Sequence, residues 1–171
     1  MMTTIYLVRH GETVDNVRQI MQGQTQGELT AQGRAQAAEV SERLRGERID
    51  AVVSSDLKRS VDTARIIAEP HALVVRQTPL LRERDWGDFT GRFIPSLKGE
   101  PFPENVESLD CLLRRAQRFL DFIIENFEGQ SVVAVGHGII NKAIQAVHFH
   151  KQMREVPRMA NAEVRVLRLE C

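Results

Sequence analysis

The chain has 171 residues, 42% of them hydrophobic and 27% charged, and its 23 Lys and Arg balance 23 Asp and Glu. That length suits one domain, residues 1–171, able to bury roughly 70% of the surface its unfolded form exposes. Zero net charge predicts no nucleic-acid and no membrane partner, so any anion site must come from local placement of arginines.

Residues 3–8 are β-rich and bounded by Gly11, which predicts a buried strand running directly into Arg9-His10-Gly11. Residues 30–45 place Ala31, Ala35, Ala38 and Leu44 at helical spacing, with Thr30 as the N-cap and Gly46 as the stop. Residues 49–54 (IDAVVS) read as a second strand, followed by a helix capped by Asp56 that runs through Ala68 and stops at Pro70. A third strand is expected over 73–76, and the Gly- and Pro-rich stretch 82–103 as loop. Residues 107–127 form the longest helical pattern, with Leu112, Ala116, Phe119, Leu120 and Ile123 on one broad face and Arg114-Arg115 on its solvated side. A buried strand follows at 131–135 (SVVAV), then a helix over 138–148 and an alternating, half-exposed edge strand over 163–169. Alternating strands and helices predict an α/β fold: a three-layer sandwich with a mostly parallel sheet covered by helices on both faces.

Two cysteines, Cys111 and Cys171, make no disulfide framework and no metal-ligand spacing. No segment approaches the ~18 apolar residues of a membrane span, and no secretory leader pattern is present. The expectation is a cytoplasmic protein.

In open α/β sheets, ligands sit beyond the carboxyl ends of the strands. Three predicted strands end in polar residues: Arg9-His10-Gly11, then Ser54-Ser55-Asp56 with Arg59 just inside the next helix, then Gly136-His137-Gly138. Taken singly, each histidine reads as a hydrogen-bonded core side chain, and Arg59 as the partner of Asp56 or Asp62. Taken together, two histidines each follow an apolar run and precede a glycine that lets the backbone approach a ligand. Two arginines accompany them, and their planar forks suit phosphate oxygens. A histidine between arginines suggests a nitrogen nucleophile facing a clamped phosphoryl group.

The ordered motifs Leu7-Val8-Arg9-His10-Gly11-Glu12-Thr13, Leu29-Thr30-Ala31-Gln32-Gly33, Ser55-Asp56-Leu57-Lys58-Arg59-Ser60-Val61-Asp62-Thr63-Ala64, Leu81-Arg82-Glu83-Arg84-Asp85-Trp86-Gly87 and Val135-Gly136-His137-Gly138 resemble the histidine phosphatase superfamily, which includes the cofactor-dependent phosphoglycerate mutases. The resemblance covers nearly the whole chain and implies a phosphoglycerate mutase-like fold. It implies His10 as the nucleophile, Arg9, Arg59 and His137 as the phosphate pocket, and Glu83, rather than Asp85 or Asp88, as general acid. Asn16 is expected either to donate to a phosphate oxygen or to form a turn, and Gln22, Gly23 and Gly138 are further substrate-binding candidates. No metal and no cofactor is implied, and the implied partner is a small phosphorylated substrate. His148-Phe149-His150 lacks companion ligands and reads as a helix end. Ser54 and Ser55 lack a serine-hydrolase motif.

The sequence departs from the family pattern in the segment after the acid. Phosphoglycerate mutases carry a basic insertion there that retains the bisphosphate, whereas residues 88–106 are short and hold only Arg92 and Lys98 as cations. Thr90 stands where the phosphatase branch often has glutamate, Val106 replaces a glycine before Glu107-Ser108, and Gln26-Gly27-Glu28 replaces an Asp-x-Pro. The resulting expectation is a phosphomonoester phosphatase acting through phospho-His10. The rivals are a mutase and a noncatalytic phosphoester-binding protein.

Overall fold

A computed structural model describes residues 1–170. Its five strands, β1 (Met2–Arg9), β2 (Ala51–Ser54), β3 (Val75–Gln77), β4 (Ser131–Gly136) and β5 (Val164–Glu170), form one sheet in the order β3-β2-β4-β1-β5. The pairs β1·β4, β4·β2 and β2·β3 are parallel. Only β5 is antiparallel, running along β1 from Glu170 opposite Met2 to Val164 opposite Val8. Parallel strands are covered on both faces, which is why β4 is buried continuously from Val132 to Gly136. The edge strand β5 alternates instead, with Leu167 and Leu169 inside and Arg168 and Glu170 outside.

The helices are α1 (Val14–Arg18), a short turn after β1, and α2 (Ala31–Leu44), α3 (Lys58–Ala68), α4 (Leu109–Phe127) and α5 (Gly138–Phe149), which cover the sheet. Successive strand residues point to opposite faces, and two cores result. On one face Leu112, Ala116, Phe119 and Ile123 of α4 and Ile140 and Ile144 of α5 pack on Ile5, Leu7, Val132 and Ala134. On the other, Val40, Leu44, Ala64 and Ile67 of α2 and α3 pack on Val8, Val52, Val133 and Val135. The three-layer α/β arrangement is as the sequence predicts.

Four local expectations change. Asp56 does not cap α3: the cap is Leu57, with no side-chain bond to the helix. The Asp56 carboxylate is instead taken by Arg82 in a two-pronged pair at 2.6 and 2.7 Å, an ionic bond stronger than a neutral cap. The third strand is shifted to Val75–Gln77, because only there does the backbone lie alongside Val52 to Ser54. The short α1 is an addition, held by a reciprocal capping box in which Thr13 Oγ1 accepts from Asn16 N–H and Asn16 Oδ1 accepts from Thr13 N–H. Finally, only Arg114 of the Arg114-Arg115 pair is solvated. Arg115 is largely buried against Glu107, its side chain 13% exposed.

Candidate active site

Parallel pairing sets Arg9 beside Gly136 and Ser54 beside Val135, so β1, β4 and β2 deliver their terminal residues to one edge of the sheet. Beyond that edge lies an open cleft of about 370 Å³, lined among others by Arg9, His10, Arg59, Glu83, Lys142 and Arg158. Asn16, Gln22 and Gly23 also line it. His137 does not reach the cleft wall. It is fully buried behind His10, with the ring centroids 5.1 Å apart. Gly138 lies behind the Arg9 guanidinium, where a Cβ would come within 3.5 Å of Nε.

The turn after β1 is fixed from several sides. Gly11 N–H donates to Thr63 Oγ1 of α3 at 3.1 Å, and Thr63 in turn donates to the Arg59 carbonyl at 2.8 Å. Asn161 Nδ2 donates to the His10 carbonyl at 3.1 Å and to Asn16 Oδ1 at 3.2 Å. A Cβ on Gly11 would collide with the Gly33 carbonyl, so the turn and α2 touch backbone to backbone.

His10 has a defined tautomer. Nδ1 lies 2.7 Å from the Gly11 carbonyl oxygen, an acceptor only, so Nδ1 carries the proton and Nε2 the lone pair. Arg59 Nε donates to that lone pair at 3.4 Å. Burial, then the charges of Arg59 and Arg9, hold the His10 pKa well below the ordinary histidine value. The imidazole is therefore neutral at physiological pH, as a nucleophile must be. His137 is held neutral by the same burial and the nearby Arg59.

His137 Nε2 lies 2.7 Å from Ser55 Oγ, which accepts from Leu57 N–H at 3.3 Å, and 3.0 Å from Ser60 Oγ, which donates to the Gly136 carbonyl at 3.4 Å. His137 Nδ1 is buried with no hydrogen-bond partner.

Neither arginine makes an ion pair among the described residues; backbone carbonyls hold both. Arg59 donates to the carbonyls of Thr25 and Gly23, the latter at 2.8 Å, while Asp56 and Asp62 are taken by Arg82 and Lys58. Burial pulls the Arg59 pKa down to about 10, so the group stays protonated at neutral pH. Arg9 Nη1 donates to the Met159 carbonyl at 2.8 Å, and its buried Nε has no partner. A guanidinium held by carbonyls keeps its full charge for a ligand, because no carboxylate neutralises it.

Glu83 faces these cations across the cleft. Its carboxylate accepts from Ile139 and Ile140 N–H at the start of α5, at 3.1 and 3.0 Å, and from Arg84 N–H at 2.8 Å. A helix N-terminus suits an anion there. Arg115 fixes the backbone beneath it, donating to the carbonyls of Leu80, Arg82 and Glu83 while gripping Glu107 at 2.8 and 3.1 Å. Asp85 turns back to Gly87 N–H and Asp88 pairs with Asn105, and neither lines the cleft. His148 lies in the last turn of α5 and His150 caps it in a left-handed conformation, φ 55°. Among the described residues, no group of three His, Cys, Asp or Glu is placed to hold a metal ion.

The histidine phosphatase superfamily (branch 1) model matches residues 5–171. The chain belongs to that superfamily. Among its curated relatives is a probable phosphoglycerate mutase of Yersinia enterocolitica, 38% identical over 153 residues that cover 81% of this chain and 71% of the relative. Among the similar solved structures are two phosphatases. The mycobacterial glucosyl-3-phosphoglycerate phosphatase superposes with a TM-score of 0.87 at 28% identity, covering 98% of this chain and 91% of that one. The phosphoserine phosphatase of Entamoeba histolytica, solved with 3-phosphoglyceric acid, superposes with a TM-score of 0.86 at 28% identity, covering 96% and 89%.

Sequence reading missed Arg115, Asn161, Thr63, Lys142 and Arg158. Thr63 had a local signal, lying four residues after Arg59 on one helix face. Asn161 and Arg158 had none, since only the return of the chain into β5 brings them to the site.

Proposed function

We propose that the chain hydrolyses phosphomonoesters through a phosphohistidine on His10 Nε2. The observation that carries this reading is the tautomer: with Nδ1–H committed to the Gly11 carbonyl, a neutral Nε2 lone pair stands in the cleft beside Arg59 and opposite Glu83.

The substrate phosphoryl group would displace the long Arg59–His10 contact and take its oxygens to Arg59, Arg9 and the Asn16 amide. His137 stands behind His10, its Nε2 at the hydroxyls of Ser55 and Ser60 and its Nδ1 unpartnered. His10 Nε2 bonds to phosphorus as the bond from phosphorus to the leaving alcohol oxygen breaks, and Glu83 in its acid form supplies that oxygen with a proton. Glu83, now a carboxylate, takes a proton from water as the water oxygen attacks phosphorus. Orthophosphate leaves and His10 returns with its lone pair. Most of the catalysis in such a transfer is positioning and charge stabilisation, which the pinned guanidinium groups supply.

Rapid quench with a phosphate-labelled substrate tests the reading. Acid-labile, alkali-stable label is expected on the wild type and none on His10→Ala. Turnover without that intermediate, or labelled His10→Ala, would overturn it. Mutase action is the second reading, favoured by the name of the Yersinia relative. Interconversion of 2- and 3-phosphoglycerate faster than hydrolysis would establish it here.

A further inference from the structure

The cleft carries more positive charge than a simple phosphomonoester needs. Its lining holds Arg9, Arg59, Lys142 and Arg158 against the single carboxylate of Glu83, with His10 neutral. A phosphomonoester dianion still leaves the site positive by one charge. Arg9 and Arg59 are the pair beside His10. Lys142 and Arg158 are two further cations of the lining, and neither side chain has an ion-pair or hydrogen-bond partner among the described residues.

Lys142 stands on the element that holds the general acid, and Arg158 stands beside Arg9. Ile139 and Lys142 are three residues apart on α5, so they share a helix face, and both line the cleft. Ile139 N–H holds the Glu83 carboxylate that protonates the leaving oxygen, and Lys142 stands about 5 Å further along the same helix. Arg158 projects from a segment that is not free to move away. The Met159 carbonyl accepts from Arg9, and the Pro157 and Arg158 carbonyls accept from Arg165 at 2.7 and 3.2 Å. The Arg158 charge bears directly on Arg9. The opposite wall, Ile20, Met21, Trp86 and Ile94, offers no cation.

We infer that Lys142 and Arg158 form a second anion subsite, and that the substrate is a phosphomonoester whose leaving alcohol itself carries an anionic group, a carboxylate or a second phosphate. This rests on the phosphatase reading above and adds the substrate class to it. The subsite acts by binding, so the second anion lowers KM more than it raises kcat.

Matched substrate pairs test it on the full chain: 3-phosphoglycerate against glycerol 3-phosphate for the carboxylate, and 1,3-propanediol bisphosphate against propyl phosphate for the second phosphate. The anionic member of at least one pair is expected to have a kcat/KM higher by about tenfold or more, carried by KM. Whichever pair shows it identifies the source. That ratio should fall towards one in Lys142→Gln and Arg158→Gln and recover in Lys142→Arg. A ratio cancels any general loss of activity or folded fraction in a variant. Equal kcat/KM within both pairs, or a ratio the variants leave intact, overturns the inference. p-Nitrophenyl phosphate separates its failure from that of the underlying reading. Hydrolysis of that ester by wild type but not by His10→Ala, with no anion preference, sinks only the subsite. No turnover of any ester sinks both.

Discussion

Arg115 is the residue through which α4 is expected to control the chemistry without touching substrate. Its guanidinium grips Glu107 with two bonds and supports the carbonyls of Leu80, Arg82 and Glu83, and the side chains of both partners are almost buried, 13% and 14% exposed. Arg115→Met keeps the packing volume but strands the Glu107 carboxylate, whose remaining donor is Asp85 N–H at 3.0 Å. Removing one partner of a fully buried pair costs about 3–5 kcal/mol, so this nearly buried one should cost about 2–3 kcal/mol. Urea denaturation measures that loss. Glu107→Gln added to Arg115→Met should return about 1 kcal/mol, because no charge is then stranded. The catalytic effect should depend on the leaving group. An alkyl phosphate needs a proton from Glu83, and a displaced acid should lower its kcat by about tenfold to a hundredfold. p-Nitrophenyl phosphate leaves as a stabilised phenolate, so its kcat should change by less than about threefold. An equal fall for both esters would refute the positioning role, and an unchanged urea midpoint would refute the buried pair.

Gly33→Ala should run against helix propensity. An interior Ala favours a helix by about 1 kcal/mol over Gly, but here the new Cβ would collide with the Glu12 carbonyl oxygen and crowd the Glu12 nitrogen at 2.9 Å. A loss of about 1–3 kcal/mol is expected in urea melts, and a gain would show that the turn after β1 yields freely. Acid should weaken the fold through its histidines. His10 and His137 stay neutral when folded, well below the ordinary value of 6.5, while the unfolded chain protonates both near 6.5. The unfolded state then binds more protons, so stability falls as pH drops below 6.5, by up to about 1.4 kcal/mol per pH unit for each histidine. His148, also depressed by burial, adds in the same direction. The depressed carboxylates Asp50, Asp56 and Glu163 lose their contribution only at lower pH, so urea midpoints between pH 5 and 6.5 isolate the histidines. His137→Gln should reduce the slope by about one proton, and an unreduced slope would mean that His137 is not held neutral.

The strand ends were legible because parallel pairing needs only apolar runs and their order: once β1, β2 and β4 lie side by side, Arg9, His10, Arg59 and His137 must meet. What periodicity could not show is which loop lies on which helix. Arg115 sits on an amphipathic helix where a cation normally faces water, and only the packing of residues 80–83 against α4 turns it inward. Asp56 sits where a cap belongs, but Arg82, 26 residues away, offers it an ionic partner. The five residues of α1 are too few for any helical repeat, and their signal was Thr13 and Asn16 three apart. For His137 the sequence showed the strand end but not the depth behind the cleft wall, because burial beneath Ser55 and Ser60 depends on how α3 meets β4.

The segment after Glu83 bears on the choice between hydrolysis and internal transfer. Its Trp86 and Ile94 line the cleft. Gly91 N–H donates to the Met21 carbonyl at 2.8 Å, Met21 N–H to the Arg92 carbonyl at 2.9 Å, and Ile94 N–H to the Gln19 carbonyl at 2.8 Å, which fixes it as one rim of the cleft. Of the two cations of residues 88–106, Arg92 is engaged with Glu100 at 2.8 Å, and neither Arg92 nor Lys98 lines the cleft. The charges beyond Arg9 and Arg59 come instead from Lys142 on α5 and Arg158 on the approach to β5. Such a site would draw in an anionic alcohol and orient its phosphate, and with no cation of residues 88–106 in the lining it would hold that alcohol less tightly once the phosphoryl group is transferred. On the mechanism proposed above, Glu83 would then meet water rather than a retained acceptor, and the carboxylate that released the alcohol would complete the hydrolysis.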